Sequence, residues 1–241
     1  MRWMSGLGIL GLLVAGALMG QTPTPVVVEL FTSEGCSSCP PADEQLLRLQ
    51  RDQPVPGANI IPLSFHVDYW DYLGWRDPFS SHAHTERQQA YNRALRDRSS
   101  YTPQMVVDGA VGIVGSNGTA AEKAVEDAAR RTHISVDLQR SGAGLKVAIP
   151  AMKDAVEVLL IITENNLASS VVRGENAGRR LRHAAVVRRL KVVARLKVGQ
   201  AFQAELPLDL PPESRRDQLQ AVVLVQEPAS RRILGASAIQ L

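Results

Sequence analysis

The chain has 241 residues, a formal net charge of +3, 45% hydrophobic and 21% charged residues. That balance excludes a disordered or low-complexity chain and leaves room for two modest domains. Two cysteines, Cys36 and Cys39, are too few for a disulfide-dense scaffold or a four-cysteine zinc site.

Residues 1–20 begin with Arg2, continue as an apolar run and reach the small residues Ala15-Gly16-Ala17. This is the pattern of a cleaved signal peptide and predicts an exported protein, periplasmic or secreted. The alternative is an uncleaved N-terminal membrane anchor, because about 18 apolar residues is the lower edge of a spanning helix. Export would place both cysteines in an oxidising compartment.

From there the signals alternate. Residues 26–31 form a β-branched, nearly all-apolar run, expected of a strand buried on both faces. Residues 37–51 read as a helix capped by Ser37 or Ser38, with Pro40 and Pro41 in its first turn. A strand at 60–67, a polar helix at 85–98, a strand at 105–107 and an alanine-rich helix at 119–131 follow, which argues for an α/β layer fold. After His133 the period becomes two at 134–138, 145–149 and 202–206, with fuller apolar runs at 156–163 and 219–225. The second half therefore reads as a mostly antiparallel, β-sandwich-like domain at 133–241, following an α/β domain at 25–132.

Residues 173–197 hold nine basic residues against one acid, Glu175. They form either a solvated strand face or a contact for an anionic partner. Nucleic acid is not expected, because no aromatic residues interleave the charges for base stacking.

The chemistry is expected at Cys36-Ser37-Ser38-Cys39. A thiol at a helix N-terminus faces unpaired N–H groups, which stabilise its thiolate. Cys36 would be the exposed nucleophile, and Cys39, one turn along, would resolve the mixed disulfide. As a mere staple the pair is weak, since so short a loop gains only about 2 kcal/mol. Thr102-Pro103 precedes the strand at 105–107. An X-Pro bond is the kind that can be cis, and a cis Pro103 facing the sulfurs could present backbone groups to an extended substrate.

The order of strand, Cys-x-x-Cys helix, strand, helix, Thr-Pro and strand resembles the thioredoxin fold. More specifically, VELFTSEGCSSCPPAD at 28–43, HVDYWDYLGWRDPF at 66–79, YTPQMVVDG at 101–109 and RGENAGR at 173–179 resemble the exported thioredoxin-like family catalogued as domain of unknown function 1223. The resemblance implies a reactive thiol at Cys36, a resolving thiol at Cys39 and a cis proline at Pro103. It implies exchange with protein or peptide thiols and no cofactor beyond the disulfide. The Ser-Ser dipeptide between the cysteines and the long aromatic–acidic segment depart from ordinary thioredoxins, so redox direction does not follow.

That segment follows the second predicted strand, where α/β sheets carry functional loops. It is expected to wall a groove beside Cys36, with Thr102, Trp70 and Trp75 lining the substrate and His66 or Asp68 assisting proton transfer. Two thiolates and an imidazole would also make a copper or zinc set from Cys36, Cys39 and His66. A third reading is a non-catalytic interaction module using the basic segment. His82 and His84 read as exposed loop residues, and His133 and His183 have no partner visible in the sequence.

Overall fold

A computed structural model describes residues 22–142 and 144–241; the predicted signal peptide lies outside the described residues. The order is β1 (Thr24–Thr32), α1 (Pro40–Asp52), β2 (Ala58–His66), α2 (His82–Leu95), β3 (Gln104–Val107), β4 (Val111–Val114) and α3 (Gly118–Ala129). The second half adds β5 (Asp137–Ser141), β6 (Gly144–Ile149), β7 (Val156–Glu164), β8 (Leu167–Ser170), β9 (Arg180–His183), β10 (Val186–Leu196), β11 (Phe202–Pro207), β12 (Leu219–Gln226) and β13 (Ile233–Gln240). The fold is α/β, built on one large mixed sheet with few helices. Among the described residues no helix is long and apolar enough to cross a membrane.

The helices start where local chemistry lets them. α1 begins at Pro40, after Cys39 and not at Ser37 or Ser38, and Cys39 caps it without a side-chain hydrogen bond. Prolines fill the first turn, where an N–H would have no helical partner. α2 starts three residues earlier than expected because Ser81 accepts from Ala83 N, drawing His82 and His84 out of the loop and into the first turn.

Eight strands run in the order β13-β12-β7-β10-β2-β1-β3-β4. β1 pairs parallel with β2 and antiparallel with β3. Alternate residues of β1 serve different cores: Val26, Val28 and Leu30 pack with Leu46 and Leu49 of α1 and Val125 of α3. Val27 and Phe31 pack instead with Tyr91 of α2 and with Leu159 and Val222 of β7 and β12. That second cluster explains a long-range closure: Ile233, opening the strand at the far edge of the order, donates its N–H to Asp108 O at 2.8 Å. The sheet therefore curls around the cluster. Gly109, at φ +63°, permits the closure, since a Cβ there would lie 1.9 Å from Arg231 O.

A separate sheet, β11-β6-β5, packs through Leu145, Val147 and Leu206 onto Val158, Ala221 and Val223 of the large sheet. This sheet forms a second layer against the large one. The larger layer is continuous with the first half of the chain, because Val186 of β10 pairs with Ser64 of β2. The large sheet therefore draws strands from both halves of the chain.

Candidate functional site

The end of β1 delivers the chain into a turn that places Cys36 just ahead of α1. Cys36 N donates to Ser33 O at 3.2 Å, and Cys39 O accepts from Ala42 N and Asp43 N at 2.8 and 3.1 Å. The two cysteines are joined as a disulfide with their Cα atoms 5.4 Å apart. The expected exposure of Cys36 is not found: Cys36 is 1% exposed and Cys39 0%. Three neighbours account for this. Gly35 leaves room for Trp70, whose Cβ and carbonyl oxygen would stand 3.1 and 3.2 Å from any Cβ at that position. Thr102, joined to Pro103 by a cis bond, donates its hydroxyl to Cys36 Sγ at 3.3 Å. Trp70 Nε1 in turn donates to Thr102 Oγ1 at 2.8 Å, and Ser38 Oγ lies 3.3 Å from the same sulfur.

Beneath the turn lies a buried polar layer. Glu34, fully buried, accepts from Trp75 Nε1 at 2.8 Å through Oε2, and its Oε1 stands 3.0 Å from His183 Nε2. Glu34 N donates to Asp77 Oδ2 at 2.8 Å, and the same oxygen lies 2.7 Å from His66 Nδ1. Burial opposes a charge on His183, but Asp43 and Glu34 outweigh it and raise its pKa to about 10. Asp43 acts as a charge and not as a hydrogen-bond acceptor, since its oxygen is 3.8 Å from His183 Nδ1. Burial also resists ionisation of Asp77, yet His66 and the N–H groups of Glu34 and Phe79 hold its pKa below the usual carboxylate range.

A strap from the second half of the chain closes over this layer. Between β8 and β9, Asn176 Nδ2 donates to both Glu34 O and Cys36 O, at 2.8 and 2.9 Å. Glu175 Oε2 accepts from Ser37 N at 2.9 Å. The cysteine turn is thus held by a segment 138 to 142 positions away in the sequence.

Of the residues expected at the site, Cys36, Cys39, Thr102 and Trp70 come together, with Pro103 beside them. Trp75 reaches the turn only through Glu34, and His66 stands one layer deeper, its ring 4.7 Å from that of His183. Asp68 faces away: it binds Thr85 Oγ1 at 2.6 Å and His82 Nδ1 at 3.0 Å, both on α2. Among the described residues no three His, Cys, Asp or Glu side chains are arranged to hold a metal ion. Sequence reasoning missed Glu34, Asp43, Asp77, Glu175, Asn176 and His183. All but His183 lie within the strings 28–43, 66–79 and 173–179 that carried the family resemblance, so the signal was present without its geometry.

A family model described as "Protein of unknown function (DUF1223)" matches residues 27–226. The crystal structure of a protein from Agrobacterium tumefaciens superposes with a TM-score of 0.76 at 28% identity, covering 91% of this chain and 95% of that one. No functionally curated protein matches the chain.

Proposed function

The chain belongs to the DUF1223 family, whose description names no reaction, and we propose that it exchanges disulfides with protein or peptide thiols through Cys36 and Cys39. One observation carries the reading: the disulfide sits at the start of α1, with a hydroxyl donor from Thr102 3.3 Å from Cys36 Sγ. Both features stabilise a thiolate at Cys36 once the pair is reduced. A thioredoxin-like first half belongs to the same proposal, supported by the strand order β2-β1-β3-β4 with α1 directly after β1. So does export, which rests on residues 1–20.

In the oxidised form a substrate thiolate attacks Cys36 Sγ. The Cys36–Cys39 bond breaks, Cys39 leaves as thiolate and a mixed disulfide forms. A second substrate thiolate then attacks the substrate sulfur of that bond and expels Cys36 as thiolate, leaving the substrate oxidised and the pair reduced. In reverse, Cys36 attacks a substrate disulfide and Cys39 resolves the adduct. The burial of Cys36 adds one requirement: the Trp70 side or the strap must move before a substrate sulfur can reach it.

Equilibration in glutathione buffers tests the reading. Exchange requires a reduction potential of roughly −120 to −270 mV, together with complete loss of activity on a model disulfide in Cys36→Ser. A potential below about −300 mV with an unreactive Cys36 would mark an inert structural disulfide and overturn the proposal.

A further inference from the structure

The basic stretch at 173–197 does not act as one surface. Arg195 hydrogen-bonds Glu157 at 2.9 Å, and Arg182 lies 3.8 Å from Glu44. Arg188 and Arg189, however, turn into a cavity of about 720 Å³ whose other walls are α2, the 78–81 turn and Arg231. β10 meets β2 at a single register, Val186 with Ser64, and the next residues of β10, Val187 to Leu190, form one wall.

Five guanidinium groups line this space, those of Arg87, Arg93, Arg188, Arg189 and Arg231, against one lining carboxylate, Glu86. Arg87 is already committed, donating from Nε and Nη2 to Glu29 Oε1 at 3.0 and 2.7 Å within the core. The others are not. The carboxylates near Arg188, Arg189 and Arg231 stand at 3.5, 3.9 and 3.8 Å, outside good hydrogen-bond range for charged partners. Arg93 makes no ion pair among the described residues. Arg188 Cζ lies over the Phe79 ring at 5.7 Å from its centroid, a cation–π contact at the cavity wall. Several guanidinium forks with unused donors around a half-open cavity match the oxygens of phosphate groups, which guanidinium binds two at a time. The volume is that of a small-molecule site.

We propose that the cavity between α2 and β10 binds a small, multiply charged phosphate-bearing anion through Arg93, Arg188, Arg189 and Arg231. The site is independent of the cysteine pair and stands or falls separately from the exchange reading. The phosphate could belong to a free polyphosphate-type anion or to a lipid headgroup, and two arms of one experiment distinguish them.

In the first arm, tripolyphosphate is titrated calorimetrically into the purified protein at moderate salt. In the second, the protein is sedimented with phosphatidylcholine vesicles, with and without phosphatidylglycerol. Saturable binding of tripolyphosphate, weakened about tenfold or more in the double variant Arg93→Gln, Arg189→Gln, sustains the proposal with a soluble ligand. Sedimentation only with the anionic vesicles, lost in the same variant, sustains it with a headgroup. Arg93 and Arg189 are exposed, so the unfolding midpoint should be unchanged, and Arg188→Gln gives an independent second variant. Binding in neither arm, or binding that both variants retain, overturns it.

Discussion

The hydroxyl of Thr102 stands between an indole and a sulfur, and the indole settles which way its proton points. Trp70 Nε1 can only donate, so at 2.8 Å it occupies a lone pair of Thr102 Oγ1 and leaves the hydroxyl hydrogen for Cys36 Sγ at 3.3 Å. Ser38 imposes no such direction: the disulfide sulfur has no hydrogen to give, and the Ser38 hydroxyl is shared between that sulfur at 3.3 Å and the Thr102 carbonyl at 3.4 Å. A donor aimed at sulfur stabilises the thiolate over the thiol. Replacing Thr102 with Val keeps the volume and removes the donor, so the Cys36 pKa should rise by about one unit. Thr102→Ser should restore it. The thiolate absorbance of the Cys39→Ser variant, followed against pH, reads this directly. An unchanged pKa in Thr102→Val would mean that helix α1 alone sets the thiolate.

At the scale of elements, the connection between β8 and β9 acts as a clasp on the cysteine turn. Gly174, at φ +77°, lets this strap lie against the Trp75 loop, where a Cβ would meet Trp75 Cβ at 3.2 Å. Asn176 then satisfies two carbonyls that face the protein interior. Asn176→Ala should strand both and cost about 2–3 kcal/mol, read as a lower urea midpoint with unchanged slope. The reduced variant should also be alkylated faster at Cys36. A wild-type alkylation rate would show that the strap secures the turn without covering the sulfur. How much of this was legible in the sequence follows from the range of each interaction. β1 and α1 were readable because an unbroken apolar run and a proline-led amphipathic stretch carry their own signals. The start of α2 was not, since His82 and His84 look like loop polar residues until Ser81 is seen to cap them. β10 could be read only as a basic stretch, because cationic residues alternate there with apolar ones along an exposed face. The continuity of the large sheet rests on one pairing, Val186 with Ser64, and Glu34 and His183 are 149 positions apart. No local pattern encodes either.

Across the whole molecule, the buried histidines couple folding to pH in opposite directions. Burial lowers the pKa of His84 to about 4, against the smaller opposing effect of its hydrogen bond to the His66 carbonyl. The unfolded chain, with an ordinary imidazole near 6.5, therefore binds more protons than the folded one between those values. Stability is present above pH 6.5 and is lost as pH falls through about 4. His183 has the reverse sign. Despite burial, Asp43 and Glu34 raise its pKa to about 10, so its contribution is full below pH 6.5 and is lost as pH rises through about 10. His133 adds to the alkaline side, its pKa raised first by the Asp108 hydrogen bond. Stability should therefore peak near pH 6.5 and fall on both sides. His183→Gln should flatten the alkaline limb while leaving the limb between 6.5 and 4 in place, and His84→Gln should do the opposite. Urea unfolding across pH 4 to 10 measures both limbs. Because His183 joins β9 to the turn before Cys36 and to α1, its alkaline loss should coincide with faster alkylation of the reduced cysteines. If stability fell above pH 8 while that rate stayed level, His183 would anchor the fold without governing access to the sulfurs.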